Sequence, residues 1–547
     1  MIINWKLIPT LAALALAGCA QYATVSHRKP QFHPPVATAG SVQQGIGNGL
    51  RQEKRDPLAS IGEYLTVAEL AAKQLDQNPN DAAAQYAYNF AVGRVIATIE
   101  HAKLDPWTQP LRIPAAGGDF TLTYKPDRRP QWNPALYDFT PADEFDVKGT
   151  YVKEHVRKQG IGAALAATGR GKNENAKRDF SSPRVFYGIT VVIRFEGRRA
   201  VIAFEDPLST ERVTLGQRSY PLAADFTVPM AVMLASTNPK KLELTRLLWP
   251  GDYAETARIA RLQPYDPNKT VVLVIHGLMD SPATWAPMIN DLRGDEEIRS
   301  KYQFWFYSYP SGYPYPHSAA ILRRQLDEIQ KRYPLQKKMV VIGHSMGGCI
   351  SRLLITDAGN QLWMKIFGKP PGETPMSPES RKLVSDALIF HDRPEIGRVV
   401  FISAPLRGSD LASNWAGRFG SMLVKTPANL LGVSKDLFKV ATFQPGDLQL
   451  TRIPNSVDTL APNNRFVRVI NTVPIKTGIP HHVISGDRGK GGNKDKTKPV
   501  MSDGIVPYWS SHMDTATSEL VVHSDHSAHQ NPQAIAEVKR ILKTYAK

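Results

Sequence analysis

From about Pro264 to the C-terminus, six short apolar runs recur between helix-compatible stretches: VVLVI at 271, YQFWFYSY at 302, MVVIG at 339, VVFIS at 399, HHVIS at 481 and ELVV at 519. A strand that is apolar on both faces belongs in a sheet covered on both sides, and strands separated by helix-length segments can pair in parallel. The pattern predicts a mostly parallel sheet with helices on both faces over residues 264–547. Ligands of such a sheet lie beyond the carboxyl ends of its strands, so the residues that follow each run carry the chemical interest.

The run MVVIG is followed by HSMGG and the helix-compatible CISRLLIT, which together give G-x-S-x-G around Ser345. With an apolar strand before it and a helix after it, this pattern describes a sharp turn that exposes the serine hydroxyl, and glycines are needed where backbones come close. The segment resembles the elbow of the α/β-hydrolase superfamily, specifically its lipase and esterase branch with GHSMGG. Four further blocks follow the order of that branch: VVLVIHGLMDSPATW at 271, YPSG at 309, SAPLRGSDLA at 403 and SDGIVPYWS at 502. In the third of these, Leu406 stands where the branch carries a histidine.

The resemblance implies a Ser-Asp-His chain order and assigns Ser345 as nucleophile, Asp503 as acid and His526 as base. A serine hydroxyl is a poor nucleophile at neutral pH and needs a base within hydrogen-bond reach, itself held by a third group. His526 is preferred over His523 and His529 because it lies between the end of ELVV and the Asn531–Pro532 helix start, in a loop that can reach over the sheet. The surrounding SDHSAH resembles the branch's G-H-S block, with Asp525 where glycine is commoner. The oxyanion donors are the N–H of Met346, from the elbow, and that of Leu278, carried over from the HG turn. His276 and His344 adjoin these elements as turn-shaping residues. No metal site and no cofactor are expected: His481 and His482 point to opposite faces of a strand, and His523, His526 and His529 share a segment already used by the base.

The N-terminal half has a different texture. Residues 1–18 place Lys6 before an uncharged stretch from Leu7 to Ala17, shorter than the 20 or so apolar residues of a membrane span. This reads as an export signal. Leu16-Ala17-Gly18-Cys19 resembles the lipobox of bacterial lipoproteins, which implies cleavage before Cys19 and its lipidation. The resemblance implies a membrane-anchored protein, on the periplasmic face of the outer membrane if the host is Gram-negative. Cys349 is the other of two cysteines, so no disulfide framework exists. Residues 19–56, poor in large apolar side chains and punctuated by Pro and Gly, read as a flexible linker. Two alanine-rich runs broken by LDQNPND predict a helical hairpin over 57–105, and β-like runs such as FTLTY and VFYGITVVIRF predict a mixed, β-rich accessory region over 106–263.

Within 264–547, Trp415, Phe419, Met422 and Leu423 fall at helical spacing, so the segment 410–461 is either a packed helix or a lid over an acyl pocket. The loop DRGKGGNKDKTK at 487 is strongly basic and reads either as a contact for lipid headgroups or as a surface loop. The formal net charge is +17. For an exported chain with no nucleic-acid-binding motif, that charge faces anionic lipid or water, and no nucleic-acid partner is expected. The expected activity is hydrolysis of an acyl ester or lipid at a membrane. Acyl transfer by the same triad and a non-catalytic scaffold remain alternatives, and the sequence names no protein partner for the N-terminal half. Substituting Cys19→Ala is expected to abolish lipidation and release the protein from membranes; fractionation that recovers the variant wholly membrane-bound would overturn the lipobox reading.

Overall fold

A computed structural model describes residues 22–126, 133–171, 186–237, 239–409, 454–489 and 501–545, with isolated positions between them. Cys19, the lid-candidate residues Trp415, Phe419, Met422 and Leu423, and the basic loop beyond Gly489 lie outside the described residues. The chain divides into two compact units, one built chiefly from residues up to 238 and the other chiefly from 239 onward.

The second unit is organised by a seven-stranded sheet. Its strands, numbered in chain order, are β1 (Arg258–Arg261), β2 (Thr270–Ile275), β3 (Tyr302–Ser308), β4 (Met339–His344), β5 (Ile396–Ile402), β6 (His481–Asp487) and β7 (Ser518–His523). Their spatial order is β1-β3-β2-β4-β5-β6-β7, and every pairing is parallel except that of β1 with β3. The six apolar runs are therefore β2 to β7, as their two-faced hydrophobicity requires. β1 is a correction: it precedes the expected boundary at 264, because RIAR alternates charge and apolar side chains as a half-exposed edge strand does.

Helices cover both faces. On one, Met346–Leu354 and Tyr315–Arg332 pack Met346, Ile350, Leu353 and Leu326 against Ile275, Val341 and Phe401. On the other, Ala286–Gly294 and Pro532–Tyr545 pack Met288, Leu292, Val538 and Leu542 against Val274, Ile342 and Val400.

The first unit joins helices Pro57–Gln77 and Ala82–Ala102 to a six-stranded mixed sheet. Asp56 and Asp81 cap these helices, their side chains accepting from the N–H groups of Ala59 and Ala84. Hairpin and sheet are not separate bodies, since one apolar cluster runs from Ile61, Leu65 and Ile96 to Leu165, Val191 and Ile202. The Tyr88 hydroxyl donates to the Ile193 carbonyl at 2.7 Å and accepts from the Ile193 N–H at 3.0 Å.

The flexible-linker reading of 19–56 is also corrected. Thr24–His27 pairs antiparallel with Phe145–Lys148, and Gly40–Gln52 is a helix. Gly45 and Gly49, which suggested flexibility, lie four apart on the buried face of that helix. A Cβ at Gly45 would meet Val67 and one at Gly49 would meet Tyr64, so the glycines are there for close helix packing.

Leu353 is wholly buried beneath the sheet. Leu353→Ala is expected to cost about 2–5 kcal/mol through lost burial and the cavity left behind, read by urea denaturation followed through near-UV circular dichroism. A loss near zero would mean this helix packs loosely.

Candidate active site

β4 runs straight into the turn that holds Ser345 at φ 53° and ψ −125°, a region that L side chains avoid. Three constraints hold it there. The Ser345 N–H donates to the Ile402 carbonyl of β5 at 2.9 Å. Gly347 lies so close to β2 that a Cβ would be driven into the carbonyl oxygens of Ile275 and His276. A Cβ at Gly277 would likewise meet the Ser345 side chain, at 2.8 Å. The result is a serine whose hydroxyl sits over the carboxyl end of the sheet at the entry to the helix Met346–Leu354.

His526 lies in the loop between β7 and the terminal helix. Its Nε2 is 2.8 Å from Ser345 Oγ and its Nδ1 is 2.8 Å from Asp503 Oδ2. With Nδ1–H donating to the carboxylate, Nε2 is free to accept the serine proton. Asp503 is almost wholly buried, and its other oxygen accepts the N–H groups of Ile505 at 2.8 Å and Val506 at 2.7 Å. Burial pushes its carboxyl pKa up, but the His526 hydrogen bond and charge, with the two N–H donors, outweigh it and hold the group below its usual range. Thus Ser345, His526 and Asp503 come together in one hydrogen-bonded line, whereas His523 is exposed at the end of β7.

The remaining sequence candidates fall around this line. Met346 is the first residue of its helix, where N–H groups have no intrahelical acceptor. Leu278 follows Gly277 in the turn after β2, whose next residue, Met279, adopts φ 53° and donates its N–H to Ser311 Oγ at 3.1 Å. The YPSG block thus braces the HG turn. Leu406, in place of a histidine, is buried in the apolar core.

Residues 271–538 match the model of the Alpha/beta hydrolase family. The second unit has the α/β-hydrolase fold. Among solved structures similar to this hydrolase unit, the mature lipase BlEst2 of Bacillus licheniformis is 17% identical, with 51% of this chain and 93% of that one covered and a TM-score of 0.31. The metagenomic carboxyl esterase MGS0156 is 14% identical, covering 52% and 79%, with a TM-score of 0.28. Esterase B of Lactobacillus rhamnosis is 12% identical, covering 52% and 78%, with a TM-score of 0.27. No curated protein sequence matches the chain. No helix among the described residues is long and apolar enough to cross a membrane.

The SAPLRGSD block of the hydrolase unit anchors the acid loop. Ser409 Oγ donates to the Ile505 carbonyl at 2.6 Å, and the Arg407 guanidinium donates to the Trp509 carbonyl at 2.9 Å. A second polar group lies behind the base. His344 Nε2 donates to the His526 carbonyl at 2.7 Å, and the ligating atoms of Asp280, His344 and His529 all lie within 4.8 Å of one another. Sequence reasoning missed this group because its members follow β2, β4 and β7 and no local motif joins them. His276 is fully buried between Gly277 O and the Tyr309 N–H, and burial pushes its imidazole pKa down to about 4, which suits a neutral turn brace. His481 and His482 are engaged by Thr515 and Ser518. Burial pushes the Cys349 thiol up to about 12.

Gly347→Ala is expected to destabilise the hydrolase unit by about 1–3 kcal/mol, as overpacking against rigid backbone does, and to lower reactivity at Ser345 in the chains that fold. Unchanged melting and unchanged inhibitor labelling would show that β2 yields at this point.

Proposed function

We propose that this chain is a serine hydrolase of carboxylic esters, held at a bacterial membrane through lipidated Cys19. The observation that carries the reading is the unbroken line Ser345–His526–Asp503, with both hydrogen bonds at 2.8 Å, on a strained strand-to-helix turn. Ser345 Oγ attacks the ester carbonyl while its proton passes to His526 Nε2. Asp503, kept ionised by its donors, holds the ring in the working tautomer and stabilises the imidazolium that forms. The N–H groups of Met346 and Leu278 receive the developing oxyanion; one such donor is typically worth roughly 10²- to 10³-fold in rate. Collapse expels the alcohol, which takes the proton from His526, and leaves Ser345 acylated. Water then attacks the acyl carbon as His526 takes its proton, and collapse releases the carboxylic acid while His526 returns that proton to Ser345 Oγ.

A fluorophosphonate is expected to label Ser345 in the purified chain. Ser345→Ala is expected to lose labelling and to cut ester turnover by roughly 10⁴- to 10⁶-fold with the fold intact. His526→Ala should match that loss and the double variant should be little worse, since residues acting as a unit are not additive. His523→Ala should keep most activity. Near-normal turnover in Ser345→Ala would refute the mechanism, and an active His526→Ala would move the base elsewhere.

A further inference from the structure

Beside His526, the hydrolase unit brings Asp280, His344 and His529 together, their side-chain N and O atoms within 4.8 Å of one another. Asp280 Oδ1 already takes the Ser281 N–H at 2.7 Å, and Oδ2 takes the Thr284 hydroxyl at 3.1 Å and the Gly277 N–H at 3.5 Å. His344 spends its ring proton on the His526 carbonyl, because a carbonyl cannot donate and Nε2 must therefore carry the hydrogen. This leaves Nδ1 a bare lone pair, buried, without a hydrogen-bond partner and 3.6 Å from Asp280 Oδ2. The buried Nδ1 of His529 likewise has no hydrogen-bond partner, while its Nε2 lies 3.4 Å from the Gln530 amide nitrogen. Both imidazoles are at least nine-tenths buried, 5% and 2% exposed, and their ring centroids are 3.9 Å apart.

Two buried imidazole nitrogens without hydrogen-bond partners converge with a carboxylate, a donor set that suits a cation. We propose that Asp280, His344 and His529 bind a divalent transition-metal ion of the Zn²⁺ class, with water completing its shell. Two imidazoles and one carboxylate suit such an ion, whereas Mg²⁺ and Ca²⁺ seek all-oxygen shells. Tetrahedral zinc with bonds near 2.0–2.2 Å sets neighbouring ligand atoms about 3.3–3.5 Å apart, close to the separation His344 and Asp280 already have. The surroundings match those of metal ligands generally: His344 hydrogen-bonds to backbone with its other nitrogen, the other nitrogen of His529 faces the Gln530 amide, and the carboxylate is fixed by N–H and hydroxyl donors. His344 is at once a ligand and the clamp on the His526 main chain. The ion thereby ties the turn after β2, the end of β4 and the base loop together and positions the base without touching substrate.

The test uses the full untagged chain, stripped with a chelator and reloaded. Elemental analysis after desalting is expected to find one Zn²⁺ per chain, thermal melting is expected to rise with added Zn²⁺, and Co²⁺ is expected to give visible absorption bands that Zn²⁺ displaces. Asp280→Asn and His529→Gln should each weaken binding by more than roughly 100-fold, beyond the effect of losing an outer-shell partner. His512→Gln, at a histidine already engaged by Glu519 and Asp514 at 2.9 Å each, should bind as the parent does. Substituted chains are first checked by far-UV circular dichroism, and if neither folds, the Co²⁺ spectrum of the parent chain decides. No retained ion and no Co²⁺ bands in the parent, or undiminished affinity in both ligand variants, would overturn the site and leave an imidazolium–carboxylate pair in its place. Stoichiometry is also measured in Ser345→Ala, where it should be unchanged, so failure of the esterase reading and failure of the metal site give different results.

Discussion

The geometry of the site descends from one backbone distortion, the left-handed Ser345 between β4 and the helix Met346–Leu354. A non-glycine residue in such a conformation costs on the order of 1–3 kcal/mol and survives only where its surroundings over-determine it. Here they do. β4 is central in the sheet, with β2 and β5 locked to it in parallel register, and Ser345 N–H is satisfied by β5 rather than by its own helix. Relaxing Ser345 would expose that N–H, lift the helix from Ile275 and break the apolar contacts of Ile350 and Leu353. The strain at one residue is thus offset by the burial of a whole helix.

That rigidity does not extend by itself to the acid and base, which sit on loops. Each loop is held by its own polar ties. The acid loop is fastened from below by Ser409 and sits close against Gly486, where a Cβ would crowd Asp503. The base loop is fastened at both ends: Asn531 caps the terminal helix through Oδ1 and ties back to the His523 carbonyl through Nδ2, while His344 takes the His526 carbonyl in the middle. The Ser409 and His344 ties are half-buried, so breaking either leaves an unsatisfied carbonyl. That penalty, about 1–3 kcal/mol for each group, keeps the loops in place.

Much of this was legible in the sequence, and the boundary of legibility is physical. β2 to β5 could be read because strands buried on both faces are rich in apolar residues, and the elbow because only glycines permit backbones to approach that closely. The Asn531–Pro532 helix start pointed to His526 over its two neighbours. The edge strand RIAR escaped because half-exposure mixes charge into its pattern. The helix Gly40–Gln52 escaped because Gly45 and Gly49 look like disorder until a neighbouring helix is present to pack on them. The cluster Asp280–His344–His529 could not be seen at all. Its members are separated by 64 and 185 positions in the sequence, and only the parallel order of β2, β4 and β7 brings their strand ends together.

The same sheet order explains why a nucleophile and a ring of buried histidines share one place. Parallel strands all deliver their carboxyl ends to one edge, so every loop that leaves β2, β4, β6 or β7 begins there. Polar side chains concentrate at that edge while the strand interiors stay apolar, and burying them in turn demands partners. Asp503 answers His526 directly. Asp280 stands opposite, beyond His344, so that the base is bracketed by two carboxylates, one acting on its ring and the other reaching its main chain through a second imidazole. An arrangement in which only the ring was held would leave His526 free to withdraw along the loop. Holding the ring and the carbonyl of the same residue fixes both the direction in which Nε2 points and its distance from Ser345 Oγ, which are the two quantities that proton transfer from the serine depends on.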